Sequence, residues 1–200
     1  MRKLTAEDYL VMPWKNGGGT TTQLAISPAQ ADLDNFAWRI STAQVASNGP
    51  FSAFPGVDRS LAVLSGQGMI LSDGDGERCR MDAGAPPFVF RGEQRVFASL
   101  EGGPVVDFNV MTRRAACTHT LEVLELQGTH RYARRAGLML VYLARGDRLA
   151  CQNAQGDVEV CGEGESILLG AQDDAEVELA SLTPLVLCIA HISSKEAQND

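Results

Sequence analysis

The sequence predicts an all-β fold, because short runs of β-favouring residues recur along nearly its whole length. Apolar and polar residues alternate over residues 36–45, which is typical of a strand with one buried face. Glycine, with 20 residues, and proline supply turns between the runs. No stretch has the apolar stripe of a strong amphipathic helix. Many short strands at steady spacing indicate a sandwich or a barrel.

Strands are predicted wherever a β-favouring run lies between turn residues. In the first half they are residues 24–26, 36–45, 59–64, 68–71, 78–81, 88–90, 95–99 and 105–111. In the second half they are residues 120–127, 137–144, 148–152, 158–160, 166–169, 175–179 and 185–192.

The two halves share a local pattern, which predicts two barrels in one chain. Residues 140–146 resemble residues 61–66, because each is an apolar strand that ends near a glycine and precedes another short strand. Residues 48–71 read as a loop, a strand, a turn and a strand, the local pattern of a cupin (jelly-roll) barrel. We therefore predict a bicupin, with an N-terminal barrel at residues 1–112 and a C-terminal barrel at residues 113–200.

The acidic balance of the chain argues against general affinity for nucleic acid or anionic membranes. The formal net charge is −8, although an anion can still be held locally because salt screens charges beyond roughly 8 Å. The first residues lack the apolar core of a signal peptide, and the longest apolar run, residues 136–144, is too short to span a bilayer. We expect a cytoplasmic protein with five free cysteines.

Arg59 is the residue on which the functional prediction depends. A metal-binding cupin carries histidines and a glutamate in this part of the barrel, and counting back from Gly66 places Arg59 at the glutamate position. Ser52 and Phe54 fall near the histidine positions. None of these types suits a transition metal, whereas a guanidinium suits a carboxylate. The sequence predicts no metal and favours an anion; the alternative is an arginine that reaches solvent from the barrel rim.

Other metal and catalytic patterns are not found in the sequence. His119, His130 and His191 lie on separate segments without ligand spacing, so neither a metal site nor a histidine-based dyad is predicted. No Gly-x-Ser-x-Gly motif marks a serine nucleophile. We expect no cofactor.

Three consecutive glycines follow Trp14, Lys15 and Asn16. Glycines let the backbone adopt positive φ and approach a neighbour closely. The lysine precedes the glycines, so a phosphate-binding P-loop is not predicted. Either this segment is a strained turn across a barrel mouth, or Lys15, Asn16 and backbone N–H groups line a ligand pocket.

Two further strands carry polar residues on one face. Arg39 and Ser41 lie opposite Trp38, so Arg39 points either to solvent or into a barrel. Asp107 and Asn109 alternate with apolar residues and need partners if they are buried. Asp107 is expected to pair with one of the two arginines, either to fix it for a ligand or as a purely structural ion pair.

Four motifs resemble those of the HutD/Ves family and follow one another along the chain. They are MPWKNGGGT at 12–20, WRISTA at 38–43, GPFSAFPGVDR at 49–59 and GPVVDFNVMTRR at 103–114. The second half is similar only in length and general pattern. The resemblance implies a cytoplasmic two-cupin protein. It links the HutD branch to bacterial histidine utilisation, as a modulator that senses an intermediate such as formylglutamate or urocanate, and the Ves branch to stress response. It supplies no established catalytic residues.

We predict a metal-free bicupin whose N-terminal barrel binds a small carboxylate metabolite and modulates histidine utilisation. The ligand-binding residues are predicted to be Arg59, Arg39, Ser41, Ser52, Asn16, Trp14, Phe51 and Phe54, with Asp107, Asn109 and Lys15 as their support. Two alternatives stay open. One is an enzyme, an isomerase or hydrolase of a pathway metabolite, with Asp107 and Lys15 as acid–base candidates. The other is a protein-interaction module. Exposed barrel edges are compatible with a homodimer.

Overall fold

The computed structural model describes residues 1–76 and 78–195, and these residues form seventeen strands and no helix. In chain order the strands are β1 Arg2–Leu4, β2 Leu10–Pro13, β3 Gly19–Ser27, β4 Trp38–Val45, β5 Gly49–Pro50, β6 Val57–Ser65, β7 Met69–Ser72, β8 Arg78–Met81, β9 Phe88–Arg91, β10 Phe97–Leu100, β11 Val105–Arg113, β12 Cys117–Ala133, β13 Leu138–Arg145, β14 Arg148–Gln152, β15 Val158–Gly162, β16 Ser166–Leu169 and β17 Glu176–Ser194. The all-β prediction is confirmed. The described part of the chain has no helix long and apolar enough to cross a membrane.

The first of two compact units comprises Leu10–Thr118 with Lys195. It contains a six-stranded sheet in the order β2-β3-β4-β11-β6-β9 and a four-stranded sheet in the order β5-β10-β7-β8. Buried residues of both sheets meet in one core, among them Leu61 of β6 and Leu71 of β7. The two sheets therefore enclose a common interior, which alternate residues of each strand face.

The second unit comprises Met1–Tyr9 and His119–Ser194. Its seven strands form one sheet in the order β1-β16-β13-β17-β14-β15, and β12 also pairs with β17. Its core is built from buried apolar residues of these strands, including Val141, Leu149 and Leu187.

The strand pairing differs from the predicted domain limits of 1–112 and 113–200 at the start of the chain. β1 pairs with β16, so that Leu4 lies opposite Ser166. Leu4 is only 1% exposed in this position. The prediction placed β1 in the first barrel because a three-residue strand carries no sequence signal of its distant partner. The second unit also resumes at His119 rather than at residue 113.

All five cysteines are free. Burial raises the pKa of Cys151, Cys161 and Cys188 to about 12, so these three side chains are neutral thiols at physiological pH. Cys151 pairs with Glu159, and Cys161 pairs with Leu149. The two cysteines of this hairpin are therefore not directly opposite each other.

Candidate functional site

A cavity of about 540 Å³ lies in the first unit. This volume is in the range of natural small-molecule sites. The cavity brings together every residue predicted for the site: Trp14, Lys15, Asn16, Arg39, Ser41, Phe51, Ser52, Phe54, Arg59, Asp107 and Asn109. The other lining residues are Met12, Pro13, Thr21, Leu33, Ala43, Pro50 and Met111. The sequence had pointed to these positions on separate strands and loops, and the fold places them around one space.

Three neighbouring strands carry the polar side chains of the cavity in register. Read from β4 through β11 to β6, the successive rungs are Arg39–Met111–Arg59, Ser41–Asn109–Leu61 and Ala43–Asp107–Val63. Residues two apart on a strand share a face, so these rungs form one surface. The two arginines lie on either side of Met111, about 10 Å apart at the backbone, which is two strand spacings. The surface therefore has a cationic end and an acidic end.

Arg59 is buried among aromatic rings and is 5% exposed. Its Cζ lies 5.2 Å from the ring centroid of Phe51, 5.6 Å from that of Phe54 and 4.7 Å from that of Phe90. Its Nη1 donates to the carbonyl oxygen of Ser52 at 3.2 Å. Its buried Nε has no hydrogen-bond partner within residues 1–76 and 78–195. The guanidinium is thus oriented by the protein and retains an unused donor.

Arg39 is held by Gln23, whose role the sequence did not reveal. The Nε of Arg39 donates to Oε1 of Gln23 at 2.8 Å, and Gln23 lies opposite Ser41 on the neighbouring strand. Arg39 is 6% exposed and lines the cavity, so it points inward rather than to solvent. Burial lowers the pKa of Arg39 and lowers that of Arg59 to about 10, which leaves both guanidinium groups charged at neutral pH.

Asp107 and Asn109 are buried hydrogen-bond acceptors at the other end of the surface. Asp107 is 1% exposed, and neither of its carboxylate oxygens has a hydrogen-bond partner in the described part of the chain. The same holds for Oδ1 of Asn109. Burial raises the pKa of Asp107 to about 7, and the charge of Arg59 opposes this rise. The structure therefore shows no hydrogen-bonded pair between Asp107 and either arginine; Asp107 and Arg59 interact through space.

The glycine-rich turn between β2 and β3 is required by close packing. Gly17 has a φ of +70°, a conformation that favours glycine. A Cβ on Gly19 would lie 2.3 Å from the carbonyl oxygen of Gln44 and 3.0 Å from the ring of Trp14. The turn therefore lets β3 approach β4 and sets the Trp14 ring against the cavity.

The polar groups of the Trp14 and Asn16 side chains form hydrogen bonds within this segment. The indole Nε1 of Trp14 donates to Oγ1 of Thr21 at 2.8 Å, which leaves the ring as a wall of the cavity. The side-chain oxygen of Asn16 accepts from the N–H of Gly18 at 3.0 Å. Lys15 and Asn16 are exposed lining residues, so they lie at the opening.

The segment between β5 and β6 supplies the aromatic wall. Ser52 is exposed and contributes its carbonyl oxygen to Arg59, rather than a hydroxyl contact. The Phe54 ring packs edge-on against Phe36 at 6.4 Å. Phe90, on β9, pairs directly with Arg59 across the sheet. The sequence predicted the strand of Phe90 but contained no signal of this long-range pairing.

No group of three or more His, Cys, Asp or Glu side chains within residues 1–76 and 78–195 is placed to hold a metal ion. The charged residues that line the cavity are Lys15, Arg39, Arg59 and Asp107. Three cations and one carboxylate suit an anion rather than a metal cation. The histidines belong to the second unit, where buried His191 accepts from the N–H of Arg135 through Nδ1 at 3.3 Å.

Comparison with known proteins identifies the family, because residues 6–186 match HutD. The chain belongs to the HutD family. An uncharacterised 21.2 kDa protein in the hutC 3′ region of Pseudomonas putida is 37% identical over 145 residues, which are 72% of this chain and 74% of that protein. Protein Ves of Cronobacter sakazakii is 37% identical over 134 residues, which are 66% of this chain and 70% of that protein. The HutD/Ves resemblance is confirmed.

Solved structures agree with this HutD assignment. A conserved protein of unknown function from Pseudomonas aeruginosa PAO1 has a TM-score of 0.89 at 29% identity, over 96% of this chain and 98% of that one. HutD from Pseudomonas fluorescens SBW25 has a TM-score of 0.80 at 27% identity, over 97% and 98%. A cupin barrel-domain protein from Leptotrichia buccalis, 11% identical, has a TM-score of 0.57 over 88% of each chain and shows the fold alone. The cupin fold class is confirmed.

Proposed function

We propose that this HutD-family protein binds a small carboxylate metabolite, similar to formylglutamate or urocanate, and thereby modulates histidine utilisation. The family supplies the link to histidine utilisation, and the cationic residues that line the cavity support a carboxylate ligand. The bound carboxylate lies at the cationic end of the surface, between Arg39 and Arg59. The aromatic side chains around Arg59 exclude water from this end, which strengthens a charge-assisted hydrogen bond.

One observation carries this proposal: the Arg59 guanidinium is buried and charged, and no described residue accepts a hydrogen bond from its Nε. Burying a charge without a hydrogen-bonded counter-ion is costly, and three ring contacts offset only part of that cost. A ligand carboxylate supplies the missing acceptor. Its two oxygens match the planar fork of the arginine guanidinium, which can donate two parallel hydrogen bonds to them.

The test is calorimetric titration with formylglutamate and urocanate, with the methyl ester of urocanate as a ligand that lacks the carboxylate. We expect both carboxylates to bind and the ester not to bind. Arg59→Gln should weaken carboxylate binding by about 100-fold or more, because two charge-assisted hydrogen bonds contribute roughly 1.5–3 kcal/mol each.

Arg80→Gln is the matched control. Arg80 lies on β8, does not line the cavity and pairs with Asp82 and Glu101 on the surface. This variant should bind both carboxylates with wild-type affinity. Thermal melting of both variants separates a loss of binding from a loss of folding. Equal affinity in wild type and a folded Arg59→Gln variant would remove Arg59 from the site.

An enzyme that acts on the same ligand is the second candidate, and Asp107 is the observation that favours it. A buried carboxyl with a pKa of about 7 is suited to accept and return a proton at neutral pH. Product formation from formylglutamate or urocanate, followed by NMR and lost in Asp107→Asn, would support catalysis. Recovery of unchanged ligand after long incubation would exclude catalysis on that ligand and leave binding as the proposed function.

A further inference from the structure

We infer that the ligand of this cavity carries a hydrogen-bond donor, an N–H or O–H group, in addition to its carboxylate, and that Asp107 and Asn109 accept from this donor. This inference rests on the proposed function and narrows its ligand class. The arginines bind one end of the ligand, and the two acceptors select what the other end must be.

Three buried oxygen atoms that line the cavity are the evidence for a donor on the ligand. They are Oδ1 and Oδ2 of Asp107 and Oδ1 of Asn109, and none has a hydrogen-bond partner among the described residues. Both residues line the cavity, and both are more than nine-tenths buried. Native proteins satisfy nearly all buried polar groups, so a cluster of unpaired acceptors in a cavity indicates a partner that arrives with the ligand.

Their place on the sheet gives the ligand its direction. Asn109 lies one rung and Asp107 two rungs from Met111, which is flanked by the arginines. Successive same-face residues are about 7 Å apart along an antiparallel strand. The arginine side chains are long enough to shorten this distance, so a ligand of five to ten heavy atoms can reach both ends. The donor therefore lies farther along β11 than the carboxylate does, toward Asn109 and Asp107.

The charge of the cavity agrees with this polarity. A simple carboxylate satisfies the arginines but leaves Asp107 as an unpaired carboxylate or forces it to hold a proton. A second carboxylate on the ligand near Asp107 would add repulsion at that end. A neutral or cationic donor there stabilises the ionised form of Asp107 through a charge-assisted hydrogen bond.

The experiment compares ligand pairs that share shape and carboxylate but differ in the donor. One pair is urocanate and 3-(oxazol-4-yl)acrylate, in which a ring oxygen replaces the N–H and the second ring nitrogen is kept. The other is N-acetylglycine and levulinate, in which a CH₂ group replaces the amide N–H. In calorimetry, the wild-type protein should bind the donor-bearing member of each ligand pair at least about tenfold more tightly than the other member, since a buried acceptor left unpaired is costly.

Two variants locate the preference. Asp107→Leu and Asn109→Leu replace the acceptors by apolar groups of similar size. In each variant the dissociation constants of the two members of a pair should differ by no more than about threefold. The donor-free member should bind Asp107→Leu at least as tightly as wild type. Arg59→Gln should instead weaken both members equally.

The outcomes separate this inference from the proposed function. If wild type binds both members of each pair equally, the carboxylate site stands and the donor requirement is wrong. If neither these four carboxylates nor formylglutamate binds, the proposed function fails and the inference fails with it. The paired ligands need no variant, so misfolding of a leucine variant does not prevent the decision.

Discussion

At the scale of residues, the site is defined by charges that the fold has buried before any ligand binds. Arg59 is surrounded by Phe51, Phe54 and Phe90, and Arg39 is oriented by Gln23. Such side chains pay little ordering entropy on binding, because the protein already holds them in place. Asp107 is the opposite case, since nothing in the described chain satisfies its oxygens.

The buried carboxyl of Asp107 should make stability depend on pH. Its pKa is about 7 in the folded protein and near 3.8 when unfolded, so the folded state binds more protons between these values. The free energy of unfolding therefore falls as pH rises from about 4 to about 7, by up to roughly 1 kcal/mol per pH unit from this group. Asp107→Asn removes this dependence, while Arg59, whose pKa is about 10, stays protonated throughout.

Urea denaturation of wild type and Asp107→Asn at pH 4.5, 6 and 8 measures this effect. The variant should gain stability relative to wild type as pH rises. Asp82→Asn is the control, because Asp82 is half exposed at the surface and lies outside the cavity. Parallel pH profiles for wild type and Asp107→Asn would contradict the burial of an ionisable carboxyl at this position.

Sequence reasoning found the charged residues that line the cavity, but not Gln23 and Phe90, which contact the two arginines. The alternation of polar and apolar residues correctly placed Arg39 with Ser41, and Asp107 with Asn109, on shared faces. The role of Gln23 was not predicted, because the register of β3 against β4 shifts between Gln23 and Ala25, which breaks simple alternation. The contact of Phe90 with Arg59 was not predicted, because it arises from a pairing between strands, which the local sequence pattern does not specify.

At the scale of elements, three strands of four or five residues were predicted with the correct bounds. Residues 78–81, 148–152 and 166–169 match β8, β14 and β16 without error. Strands β1, β2 and β5 were not predicted. Strands β1 and β5 have only three and two residues, which carry too little pattern, and β2 ends at a proline, a residue that is uncommon within strands. The prediction of two strands at 175–179 and 185–192 was wrong: β17 is continuous, and Pro184 lies between its residues that pair with β14 and those that pair with β13.

The turn between β2 and β3 offers a test of how the cavity wall is built. Gly19→Ala would place a Cβ against the Gln44 carbonyl and the Trp14 ring, so it should cost about 1–3 kcal/mol of stability through overpacking. It should also weaken ligand binding, because the Trp14 ring must move. Thermal melting and calorimetry measure the two effects.

Gly49→Ala is the matched control for this turn. Gly49 lies on β5 in the same unit, and a Cβ there has no neighbour within 4 Å. This variant should stay within about 0.5 kcal/mol of wild type. If Gly19→Ala were as mild as the control, the close approach of β3 to β4 would not limit this position.

At the scale of the whole molecule, the chain contributes to the second unit, builds the first and then returns to the second. The sequence predicted two successive halves, since composition and pattern reveal strands but not which distant strand completes a sheet. The difference rests mainly on the pairing of β1 with β16, and the second unit also resumes at His119 rather than at residue 113.

Leu4→Ala tests the structural importance of this pairing. Leu4 is buried on β1, so its truncation should cost about 2–4 kcal/mol and should speed amide hydrogen exchange in β16 and β13. Lys3→Ala is the control, because Lys3 forms a partly exposed ion pair with Glu165. Unchanged exchange in β16 of the Leu4→Ala protein would show that β1 does not hold this edge of the sheet.

The pairing of β1 with β16 also sets an order of events during synthesis. A ribosome releases Arg2–Leu4 before the first unit, yet their partner, Ser166–Leu169, emerges more than 150 residues later. The strands of the first unit all leave the exit tunnel in between and can fold as they appear. The cavity of the first unit can thus be complete on a nascent chain in which β1 is not yet paired with β16.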